Sequence, residues 1–125
     1  MNIKKMVDTI EPQEMDTESF ISSLHNKIIH FYKEKSVEGY VEVLRDMLSL
    51  AVHLKFDLVL KHFGTAPVVA PDATMQFQEM FKCLATRGTN KNWFLDLFAL
   101  FLGLGTVLQF DASMIEETFF KEKGM

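Results

Sequence analysis

Apolar residues recur every three or four positions along most of the chain, a period that predicts helices and no strand. Phe20, Leu24, Ile28 and Phe31 fall at spacings of four, four and three, which makes one face of a helix from a Thr17 cap to about Lys35. Ser36 can cap a second helix, Val37 to about Lys55, with Glu38 in the first turn, where the helix dipole favours an acid. Asp57 can cap a short third helix that stops at Gly64, a residue suited to the position after a helix end. Pro67 and Pro71 make residues 65–71 an extended connection. Asp72 then caps a fourth helix carrying Phe77, Met80, Phe81 and Leu84 and ending near Arg87 and Gly88. Asn90 or Thr89 caps a fifth, Lys91 to about Gln109, and Ser113 and Glu116 have capping-box spacing at the start of a sixth, towards Lys123. Residues 1–15 lack sustained periodicity and carry Pro12, so they read as an N-terminal arm with room for one short turn, ahead of one helical domain over 16–125. The fold class is all-α, a helical bundle.

The second and fifth helices repeat each other. The stretch from Tyr40 to Asp57 aligns without a gap on that from Phe94 to Asp111, 54 residues later. Glu42 meets Asp96, Leu48 meets Leu102, Leu54 meets Leu108, and both copies close on Phe-Asp. Shared leucines follow from amphipathicity alone; a shared first-turn acid and a shared Phe-Asp stop do not. The pattern predicts a bundle built from two repeated helical hairpins. Ser49 and Ala51 align with Gly103 and Gly105, small residues that predict a close crossing of the two long helices. Gly103 and Gly105 lie inside an apolar helix, so they do not form a phosphate loop.

Phe (12) and Met (8) dominate an apolar fraction of 48%, bulky unbranched side chains that suit helix–helix packing. The net charge of −4, without a Lys/Arg cluster, speaks against a nucleic-acid partner. The longest uncharged helical run, Leu97 to Leu108, is twelve residues; a membrane span needs about 20. One cysteine, Cys83, and a polar start without an apolar run behind it fit a cytoplasmic protein with no membrane partner. Trp93, Phe94, Phe98, Phe101 and Leu102 spread around more than one side of the fifth helix and predict self-association.

Glu38, Glu42 and Asp46 are spaced four apart and point to one side of the second helix. Each such like-charge pair costs about 0.2–0.5 kcal/mol. Solvent, a nearby Lys or Arg (Arg45 is close by) or a divalent cation must offset that, and Mg²⁺ is the ion that carboxylates meeting phosphates prefer. The four histidines match no helical i, i+4 metal pair and read as structural. Cys83 has no neighbouring base and reads as a buried inert thiol.

With its repeat and its acidic helix, the chain resembles the all-α nucleoside triphosphate pyrophosphatases, in particular the dimeric dUTPase branch. The resemblance spans roughly residues 17–123. It rests on Glu38 to Leu44 running on to Leu54 to Asp57, and on Phe94 to Asp111 followed by Ile115 to Phe120. It implies a metal site in which Glu42 stands for the Asp of a Glu-x-x-Asp motif and Glu38 substitutes for its Glu, whose own place is Gly39. The motif's partner Glu-x-x-Glu on the preceding helix would fall at Ser22 and His25, and a nucleotide-contacting segment would begin near Lys123. Pyrophosphate cleavage needs metal to activate water and neutralise phosphate. The resemblance thus implies a degenerate dUTPase-like homodimer that binds a protein or a nucleotide without hydrolysis. The alternative it leaves is a divergent Mg²⁺-dependent (deoxy)nucleoside triphosphate pyrophosphatase using Glu38, Glu42 and Asp46.

Overall fold

The structure, a computed structural model, describes residues 1–62 and 66–122. Among these there are seven α-helices and no strand: α1 (Ile3–Asp8), α2 (Thr17–Glu34), α3 (Val37–His53), α4 (Asp57–His62), α5 (Ala73–Ala85), α6 (Trp93–Val107) and α7 (Ala112–Glu122), with a 3-10 turn at Arg87–Thr89. The expected helix stop at Gly64 and the Lys123 end of the last helix lie outside the described residues. The chain divides into two compact units, Met1–Gly64 with Ala112–Met125, and Thr65–Asp111.

In the first unit, α2 and α3 form a hairpin. The turn between them is held by Lys35, whose backbone takes the left-handed conformation, and by Ser36, whose hydroxyl accepts from the Gly39 N–H at 3.0 Å. The apolar stripe of α2 (Phe20, Leu24, Ile28, Phe31) is buried, as are Tyr40, Val43, Leu44, Met47 and Leu50 of α3. Each large side chain so removed from water contributes about 1.5–3 kcal/mol. The Phe31 and Tyr40 rings meet edge-on at 5.8 Å. The N-terminal cap of α2 is Asp16, one residue before the expected Thr17; its carboxylate accepts from the Ser19 N–H at 2.7 Å. Helix α7 packs on α3, and α1 on α3 and α4.

Residues 1–15 are therefore more than an arm. Asn2 caps α1, Met6 and Val7 are buried, and Asp8 pairs with Lys61 of α4 at 2.7 Å. Two buried residues in a six-residue helix are too few to register as a period. At α7, Ser113 lies within the helix rather than capping it, and Glu116 accepts from the Asn2 N–H instead of closing a capping box.

In the second unit, α5 packs on α6. Asp72 caps α5 as expected, accepting from the Met75 N–H at 2.9 Å. Helix α6 starts at Trp93, later than the sequence suggests. Asn90 instead accepts from the Asn92 N–H at 2.9 Å and donates to Asp96 at 2.7 Å, and the Thr89 hydroxyl donates back to Thr86. The clearance at Gly103 admits the connection ahead of α5: a Cβ there would overlap the Val68 carbonyl and come within 2.7 Å of the Gln76 amide.

Helices α3 and α6 end identically. Phe56 N–H donates to Ala51 O and Lys55 N–H to Val52 O; 54 residues on, Phe110 N–H donates to Gly105 O and Gln109 N–H to Thr106 O. Both are Schellman motifs, with Lys55 (φ 64°) and Gln109 (φ 63°) in the left-handed position. The buried positions Tyr40, Val43, Leu44, Met47, Leu50 and Ala51 match Phe94, Leu97, Phe98, Phe101, Leu104 and Gly105.

Candidate functional site

The acids of α3 face the groove between α2 and α3, because α3 buries its opposite side. Their positions fall on the edge of the apolar face: Glu38 and Glu42 are exposed and Asp46 is half-buried. The residues of α2 that flank its own stripe, Ser23 and Lys27, come across to meet them. Lys27 Nζ lies 2.8 Å from Asp46 Oδ1 and 3.7 Å from Glu42 Oε2, and Ser23 Oγ donates to Asp46 Oδ2 at 2.9 Å. Asp46 thus has both carboxylate oxygens engaged, and one ammonium serves two acids.

Of the expected Lys or Arg neighbours, Arg45 points away from the groove. Its guanidinium donates to Glu122 at 2.7 Å and to the Phe119 carbonyl at 3.0 Å, and stacks 4.9 Å from the Phe119 ring. Lys27 takes the role instead. Its signal was legible only once the hairpin was known: it directly precedes Ile28, as Ser23 precedes Leu24, so both flank the buried stripe. Ser22 and His25, where a partner Glu-x-x-Glu would fall, are exposed, and it is the positions one and two residues further on that meet the α3 acids.

The groove widens towards the hairpin turn into a cleft of about 240 Å³ lined by Lys27, His30, Glu34, Ser36, Glu38, Gly39 and Glu42. Small-molecule sites usually measure about 300–1,000 Å³. His30 Nε2 lies 3.3 Å from the Glu34 carboxylate. Gly39 is buried beneath this cleft: a Cβ there would sit 2.9 Å from the Phe31 ring and 3.2 Å from the Ser36 hydroxyl. A side chain at position 39 would have to displace the Phe31 ring. Among the described residues, no three His, Cys, Asp or Glu side chains converge as a metal ion would need.

Two further titratable groups, His53 and Cys83, are engaged structurally. His53 Nε2 shares a hydrogen bond with the Thr17 hydroxyl at 2.9 Å, and its ring stacks 4.8 Å from Phe20, tying the end of α3 to the start of α2. Cys83 is half-buried and its thiol approaches the Trp93 carbonyl at 3.3 Å. Burial raises the thiol pKa, with Asp96 and Glu79 adding to the effect. The aromatic side chains of α6 on which self-association was expected are inside the chain: Phe94, Phe98 and Phe101 are at most 1% exposed, and only Trp93 and Leu102 reach the surface in part.

No family model, curated protein or solved structure matches this chain. No single helix among the described residues is long and apolar enough to cross a membrane.

Proposed function

We propose that this chain is a binding domain of dUTPase-like design, two related helical hairpins in one chain, that does not hydrolyse nucleotides. The observation that carries the reading is Lys27, whose ammonium lies between Glu42 and Asp46, where a metal-dependent pyrophosphatase would need a divalent ion. A lysine bound to both acids neutralises them without the Lewis acidity that hydrolysis requires. Gly39, closed off by Phe31 and Ser36, supports the same reading. The matched buried positions and matched ends of α3 and α6 support the kinship of the hairpins.

A cleft of this size suits a protein side chain or loop better than a whole nucleotide, which favours a protein over a nucleotide as the ligand. Any Mg²⁺ would bind at Glu38, Glu42 and Asp46, in competition with Lys27, and weakly.

The test is a hydrolysis screen over deoxynucleoside triphosphates with Mg²⁺ or Mn²⁺, alongside calorimetry with the metals alone. The expected result is no turnover and weak metal binding that Glu42→Gln removes. Metal-dependent release of pyrophosphate that is lost in Glu42→Gln would overturn the proposal in favour of the divergent pyrophosphatase.

A further inference from the structure

We propose that residues 66–70 form a strap that docks and releases as one unit, latched by the side chain of Gln76. Gln76 is fully buried, and its amide makes three hydrogen bonds. Its Nε2 donates to the Leu100 carbonyl of α6 at 2.7 Å and to the Val68 carbonyl at 2.6 Å, while its Oε1 accepts from the Ala70 N–H at 2.6 Å. The anchor on Leu100 fixes the plane of the amide, so that its other N–H and its oxygen meet a carbonyl and an N–H two residues apart in an extended chain. A fourth bond, Val68 N–H to the Ala99 carbonyl at 3.1 Å, completes the attachment. Gly103 leaves the space into which the Val68 carbonyl fits.

Apolar burial adds little to this. Ala66 and Pro67 are exposed, Val68 and Val69 are 52% and 53% exposed, and Ala70 is half-buried. The strap is held by polar contacts that depend on one side chain. Once the amide is lost, the Val68 carbonyl and the Ala70 N–H have nothing in the slot to pair with, and both are satisfied by water when the strap lifts. The bonds therefore break together. Helices α5 and α6 do not depend on the strap for their own core, which includes Phe77, Met80, Leu84, Phe94, Leu97 and Phe98, all buried. Release uncovers the side of α6 at Gly103 without melting the helix.

Native-state hydrogen exchange on the full chain tests the latch, with the Val68 and Ala70 amides as reporters and the Phe98 and Phe101 amides of α6 as the reference. In the wild type the two reporters should share one protection factor, lower than that of the reference amides. In Gln76→Met, of similar length but without the amide, both reporters should lose protection about 10- to 100-fold while the α6 amides stay protected. Gly103→Ala, whose Cβ would overlap the Val68 carbonyl and crowd the Gln76 amide, should do the same with the Gln76 side chain still present. Reporters as protected as the α6 core in the wild type, reporters with unequal protection, or reporters unmoved in Gln76→Met would each overturn the proposal. So would Gln76→Met losing all protection everywhere, since the amide would then belong to the core.

Discussion

Lys27 is the residue on which the functional reading turns, and its removal has a calculable effect. With Lys27→Gln, Glu42 and Asp46 lose their shared cation. Lys27 is 38% exposed and Asp46 20%, so the pair sits between the surface case, worth about 0–1 kcal/mol, and a buried one. A loss of about 1 kcal/mol is expected in urea denaturation. Millimolar Mg²⁺ should recover part of it, since the acids are then free to take a divalent ion; the wild type, where Lys27 competes for the acids, should respond less. A variant as stable as the wild type would mean that Lys27 does not neutralise the groove in solution.

Asp16 belongs to the same scale. The Ser19 N–H first, then the Ser19 side chain, hold its carboxyl below the usual carboxylate range, and the nearby His53 adds to this. A depressed folded-state pKa contributes stability that is present above the unfolded value, about 3.9, and is lost as pH falls through the folded value. Asp16→Asn keeps a good capping residue and removes the titration. Its stability should vary less with pH below 4 than that of the wild type in acid denaturation curves. Cys83 should behave in the opposite sense: with its pKa raised, the thiol should react more slowly with a disulfide reagent at neutral pH than a free cysteine.

At the scale of elements, the matched ends of α3 and α6 make a quantitative claim. Lys55 and Gln109 are exposed and hold positive φ, a conformation that costs a residue with a Cβ about 1 kcal/mol relative to glycine. Lys55→Gly and Gln109→Gly should each stabilise by about that amount. Lys55 should gain a few tenths less, because its charge already favours the helix C-terminus. Thermal melts of the two variants check this, and gains of opposite sign would break the equivalence of the two helices. These ends were legible in the sequence as a shared Phe-Asp stop, because a Schellman motif leaves a local trace. The long amphipathic helices and the Ser36 and Asp72 caps were legible for the same reason. What escaped was non-local. Helix α1 is held by Asp8 reaching Lys61, far along the chain, and the acid groove by Lys27 crossing from the neighbouring helix. Gly103 serves the carbonyl of a connection, a partner that no helical period could reveal.

At the scale of the whole molecule, the burial of α6 bears on the expected self-association. A run of Trp and Phe around a helix reads in the sequence as surplus apolar surface, but Phe94, Phe98 and Phe101 are buried within the single chain. An interface residue and a core residue respond differently to truncation. If Phe98 faced a second copy, Phe98→Ala would leave a stable protein of lower mass. With Phe98 1% exposed, the same change removes a packed ring and leaves a cavity, at about 3–5 kcal/mol. That is a large share of the about 5–15 kcal/mol that holds a typical domain together. Circular dichroism melts should therefore show a fall in Tm of ten degrees or more, on the order of 1 kcal/mol for every few degrees. Sedimentation below the new Tm should show the same association state as the wild type. A variant that melts like the wild type but sediments at a lower mass would place Phe98 at an interface between copies, and would return the aromatic face of α6 to the role the sequence suggested.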